Sequence, residues 1–132
     1  MVRQIVLTVL IALPAAAIAH HSFAMFDMQR QVSLSGTVKN FQWSSPHSWL
    51  DIVVRDAAGD QVEWSVEMGA PGSLYRHGWR ERSVKSGDKI TVVVHPLRDG
   101  RPGGSLVSAT LADGTRLEEG GGPADRSNGA SR

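Results

Sequence analysis

The chain has 132 residues, with 14 Lys+Arg against 13 Asp+Glu, 41% hydrophobic residues and no cysteine. That length holds one domain, because a second core needs roughly 100 residues more. The absence of Cys excludes a disulfide scaffold, a thiolate metal site, a cysteine nucleophile and a lipid-modified N-terminal Cys. A formal net charge of +1 argues against a nucleic-acid partner, which requires a basic excess on one face.

The chain opens with a short segment bearing one charge, Arg3, followed by an uncharged stretch from Ile5 to Ala19. Ala17-Ile18-Ala19 fits the small-x-small pattern of a signal-peptidase site, so residues 1–19 read as a signal peptide. The apolar stretch is shorter than the ~20 residues needed to span a bilayer. The expectation is export to the periplasm, cleavage after Ala19 and no membrane attachment afterwards. The mature chain would have 113 residues, equal numbers of acidic and basic side chains, and His20 as its first residue.

Residues 20–30 form a His- and Met-containing lead-in. In Gln31–Trp43, Val32, Leu34, Gly36 and Val38 alternate, and then Phe41 and Trp43 fall out of phase. One extra residue near Lys39-Asn40, a β-bulge, explains that slip. Trp49–Arg55 alternates again, and Asp56–Asp60 is hairpin chemistry. Val62, Trp64, Val66 and Met68 form the cleanest half-buried pattern, with Trp64 expected in the core. Pro71–Trp79 breaks the β pattern and predicts a short helix opened by Pro71, ended by Gly78, with Leu74 facing inward. Lys89–His95 is a fourth strand stopped by Pro96. Asp99–Gly104 reads as a mobile loop, Leu106–Ala112 as a fifth strand and Thr115–Leu117 as a brief return. Three strands, a helix and two strands is the order of an all-β, OB-fold-like five-stranded barrel, here spanning 31–118. Residues 119–132 carry almost no apolar side chains and are expected to be a disordered tail.

The motif series has a family likeness. It comprises His20-His21-Ser22-Phe23, Phe41-Gln42-Trp43-Ser44-Ser45-Pro46-His47, Trp64-Ser65-Val66-Glu67, Leu74-Tyr75-Arg76-His77-Gly78-Trp79 and Pro96-Leu97-Arg98-Asp99-Gly100. It resembles a bacterial family of small exported proteins of unknown function, marked by an HHSF mature start and an Asn-Pro-His motif. Ser45 stands where that family has Asn. The resemblance implies export and a single β domain, and carries no chemistry.

The chemistry is concentrated in five histidines, His20, His21, His47, His77 and His95. Cleavage after Ala19 would give His20 an α-amine and an imidazole on one residue, a natural chelate. Imidazoles suit copper and zinc, and the thioethers of Met25 and Met28 select Cu(I). The expectation is a non-enzymatic periplasmic protein that binds copper or zinc through His20 and His21, aided by His47 or His95. Phe23, Met25, Phe26 and Met28 suit equally a plug for one end of the barrel. The alternative is a small-ligand or protein-interaction module using Trp43, His47, Trp49 and Tyr75. A hydrolase built on His47 and Glu67 is the weakest reading, since no nucleophile is visible. Glu63 and Glu67 share a strand face, four residues or about 13 Å apart, and read as solvated. His77 is expected to serve the helix C-terminus.

Overall fold

The structure is a computed structural model that describes residues 23–120. The expected signal peptide, His20, His21 and most of the expected tail lie outside the described residues.

Among the described residues, six strands and a short helix follow in the order β1 (Val32–Gln42), β2 (Trp49–Arg55), β3 (Gln61–Glu67), α1 (Pro71–Arg76), β4 (Lys89–Pro96), β5 (Gly103–Leu111) and β6 (Arg116–Glu118). Neighbours run β3-β2-β1-β4-β5-β6, and a further parallel pairing of β3 with β5 closes the sheet. The result is a closed five-stranded mixed barrel of OB-like topology, with β6 as a short added edge. The bulge falls where the phase slip puts it: the β1–β2 register shifts between Val38 and Asn40. Lys39 is the extra residue, and Phe41 is thereby returned to the inner face opposite Leu50. At Gly36 β1 passes close to β2, and a Cβ there would run into the Val53 carbonyl and a Val54 methyl. Only a residue without a side chain permits that approach.

The strands alternate because one face of each meets the interior. Leu50, Ile52, Val66, Val92 and Val94 are fully buried. Trp64 is only half-buried, although it packs against the core. The cause is the local edge: β5 reaches β3 only at Ser65–Glu67, so the first half of β3 has no partner on that side.

Helix α1 begins with Pro71 in its first turn and ends three residues before Trp79. The Gly78 N–H donates to the Tyr75 carbonyl at 3.2 Å and the Trp79 N–H to the Leu74 carbonyl at 3.0 Å. Those two bonds, with Gly78 at φ +93°, form a Schellman motif. The turn drives Trp79 into the core beside Leu74, both with no exposed surface. The Trp79 Nε1–H donates to the Glu118 carbonyl at 2.9 Å, tying the helix end to β6.

Two expectations need correction. The fifth strand starts at Gly103, not Leu106, because Gly103 and Gly104 form the β3–β5 ladder. Glu119, expected to begin a solvated tail, is instead held by the barrel, as described next.

Candidate functional site

The lead-in is fastened beside the end of β4. Phe26 pairs with Leu97 in an isolated antiparallel bridge and is 3% exposed. The Asp27 N–H donates to the Pro96 carbonyl at 2.8 Å, and the Arg98 N–H to the Met25 carbonyl at 2.9 Å. Of the four apolar lead-in residues, Phe26 alone plugs the barrel; Phe23, Met25 and Met28 are exposed. Chain alternation explains this in part, since Met25 lies on the opposite side of the bridge strand from Phe26.

His95 is on the same rim. It lies between buried Val94 and Pro96 on β4, so it points outward. Its Nδ1 is 2.8 Å from the Arg30 carbonyl. A carbonyl only accepts, so Nδ1 carries the hydrogen and the lone pair is left on Nε2. Metal-binding imidazoles are commonly oriented in this way, with the other ring nitrogen donating to a carbonyl.

His47 is elsewhere. The ladder runs Trp49↔Glu67↔Ser105↔His95 across three strand steps, about 14 Å at the usual strand spacing. In the loop before β2, Ser44 Oγ donates to the His47 carbonyl at 2.8 Å, and the Ser48 N–H bonds the Gly69 carbonyl. His47 Nδ1 thereby sits 3.2 Å from Glu67 Oε1 and 3.3 Å from the Met68 carbonyl. The Glu67 side chain is 12% exposed, against 43% for His47. The structure therefore joins His47 to Glu67, an imidazole held against a carboxylate.

A second carboxyl stands near. β3 and β6 lie along the same edge of β5, one against Gly103–Ser105 and the other against Ser108–Thr110. Their ends meet at Val107, the residue added by a bulge opposite Val93–Val94. The Val107 carbonyl accepts the Glu119 N–H at 3.0 Å. Glu119 Oε1 accepts the Gly69 N–H at 2.5 Å, while Oε2 is buried without a hydrogen-bond partner among the described residues. Burial, seconded by the charge of Glu67, pushes the Glu119 carboxyl up to about 8, and the Gly69 hydrogen bond opposes this without reversing it.

The four aromatic-surface residues do not form one face. Trp43 packs edge-on to Phe41, with ring centroids 5.9 Å apart, and leans on the core. Trp49 pairs with Glu67, next to inward Leu50, and so is on the outer side. Tyr75 is exposed on α1 beneath the Arg80 guanidinium, 3.8 Å from its ring centre. A shallow open cleft of about 860 Å³ lies around Gly36, Lys39, Arg55 and Lys89 and includes none of the predicted site residues. His77 Nδ1 bonds the Ser73 carbonyl at 2.9 Å, as its place at the helix end leads one to expect. Among the described residues, no group of three His, Asp or Glu side chains has the spacing of a metal site.

A model of a family of unknown function, DUF6152, matches residues 8–106, about three quarters of the chain. The chain belongs to that family. No curated protein and no solved structure matches it. The DUF6152 match stops inside β5, at Leu106, so β6 and Glu119 lie beyond it. Sequence reasoning passed over Glu119 because the residues after it are polar. The available signal was parity: Glu119 is two residues after Leu117, which is buried, and so faces the same side along the strand.

Proposed function

We propose that the protein is exported, begins at His20 after cleavage, and binds one copper ion at the β4 rim of the barrel. The donors are the His20 α-amine and imidazole, the His21 imidazole, and the thioethers of Met25 and Met28, with His95 Nε2 completing the set. The observation that carries this reading is the docking of the lead-in at Phe26–Leu97, which leaves Met25 and Met28 exposed (each 44%) on the rim that holds His95. His21 is four residues before Met25, a reach of at most about 14 Å. Nitrogen donors bind Cu(II) most tightly of the divalent first-row ions, and thioethers favour Cu(I). A mixed set therefore prefers copper in either redox state, with zinc the weaker fit. His47 is not among the donors, since it is engaged with Glu67 three strand steps away.

A small-ligand surface around Trp43, His47, Trp49 and Tyr75 is the second reading. It has the weaker support, because Trp43 leans on the core and Trp49 is on the outer face. Titration of the mature protein with Cu(II) distinguishes the two. A 1:1 complex is expected, with affinity at least tenfold lower when one Gly precedes His20 and lower again in His95→Ala. An affinity that ignores the added residue would overturn the N-terminal chelate.

A further inference from the structure

The place where β3 and β6 meet end to end has no part in the copper site. One strand leaves there through Met68-Gly69 into α1, and the other leaves through Glu119-Gly120 toward the C-terminus. The Glu119 side chain spans the gap: it reaches across and accepts the Gly69 backbone N–H. The cradle is close-fitting, since a Cβ on Gly69 would lie 2.8 Å from Glu119 Oε1 and 3.7 Å from Ser73 Cβ. The Gly120 backbone is in turn packed against the His77 ring.

We propose that Glu119 is a pH-operated latch that fastens the end of β6 to the β3–α1 turn while its carboxyl carries a proton, and loosens as the proton leaves. The surroundings supply the reason. Oε2 has no hydrogen-bond partner among the described residues, so a charge placed there gains nothing from it. The neighbouring elements bring three charged or titratable groups, while β5 brings none. From β3 comes Glu67, which repels a second negative charge and is itself engaged by His47 at 3.2 Å. From the residue that caps α1 comes His77, whose ring lies against Gly120. On β6 the neighbouring Glu118 is exposed and paired with Arg116 at 2.7 Å. Among the described residues no Lys or Arg side chain pairs with Glu119, and Gly69 offers one N–H only. An ionised carboxylate is better served by water, which it reaches by leaving the cradle and taking Gly120 with it. The consequence is directional: the closed form binds the proton more tightly than the open form, so acid favours closure.

The test is amide hydrogen exchange of the mature chain, read at Gly69, Glu119 and Gly120 and corrected for intrinsic pH dependence. The open fraction is expected to rise close to tenfold per pH unit from about pH 5 to about pH 8 and to level off above about 8. In Glu119→Gln, which keeps an acceptor for Gly69 and cannot ionise, the same amides should show no such trend. Glu67→Gln should lower the pH at which the curve levels off. A flat wild-type profile, or the wild-type trend persisting in Glu119→Gln, would overturn the latch. Should Glu119→Gln not fold, the wild-type profile decides alone.

Discussion

Replacing Glu119 by Gln keeps the shape and the acceptor for the Gly69 N–H, and removes the proton equilibrium. The carboxyl stands at about 8 in the folded chain against an ordinary 4.5. The folded value is the higher one, so between these limits the folded chain retains a proton that the unfolded chain has released. Folding stability therefore falls as pH rises from about 4.5 to about 8, and is flat above. At about 1.4 kcal/mol per pH unit, the whole interval is worth roughly 5 kcal/mol. That is a ceiling, because the side chain can swing to water before the barrel unfolds; about 2–4 kcal/mol is the expected loss. Urea unfolding at pH 5, 6.5 and 8 measures it. Wild type and Glu119→Gln should be nearly equal at pH 5, and the variant more stable by about 2–4 kcal/mol at pH 8. A variant less stable than wild type by the same amount at every pH would refute the reasoning, since the carboxyl would then be contributing packing and hydrogen bonding alone.

Gly36→Ala forces a Cβ into the Val53 carbonyl and a Val54 methyl. Thermal melts should show it destabilised by about 1–3 kcal/mol or more, whereas an unchanged midpoint would mean that β1 and β2 separate freely. Phe26→Ala removes the one buried anchor among the described lead-in residues. It should cost about 2–4 kcal/mol of stability if the whole fold depends on that anchor, or less if the segment detaches locally. In either case copper affinity should fall, and an unaltered affinity would separate the lead-in docking from the metal site. Trp79→Phe keeps most of the buried ring but loses the 2.9 Å bond to the Glu118 carbonyl. It should lower stability by about 1–3 kcal/mol in the same melts.

The strands were legible because each has one wet and one dry face, and the Lys39 bulge because it breaks the alternation visibly. The barrel was legible in the order of its elements, but the pairing that closes it was not. It rests on Ser65–Glu67 against Gly103–Ser105, and a Gly-Gly pair has no side chains to alternate. Those glycines look like loop, yet a Cβ on Gly104 would press on the His95 carbonyl and Val94, so close strand packing explains them better. The partition of the candidate residues was also hidden. Trp43 and Trp49 flank His47 in sequence, but the turn between β1 and β2 sends one toward the core and the other to the outer face. His47 and Glu67, twenty residues apart, come together because Trp49 and Glu67 are paired across β2 and β3. Glu119 was obscured by its neighbours: composition marks the residues that follow as solvated, while parity with Leu117 turns this one inward.

Intact-mass analysis of the protein recovered from the exporting cell, with metal content measured on the same sample, bears on the copper proposal most directly. The expected species begins at His20 and holds one copper per chain, displaced when the amino end is acetylated. A chain that retains residues 1–19, or one that begins at His20 and keeps no copper above background after equilibration with it, would contradict it.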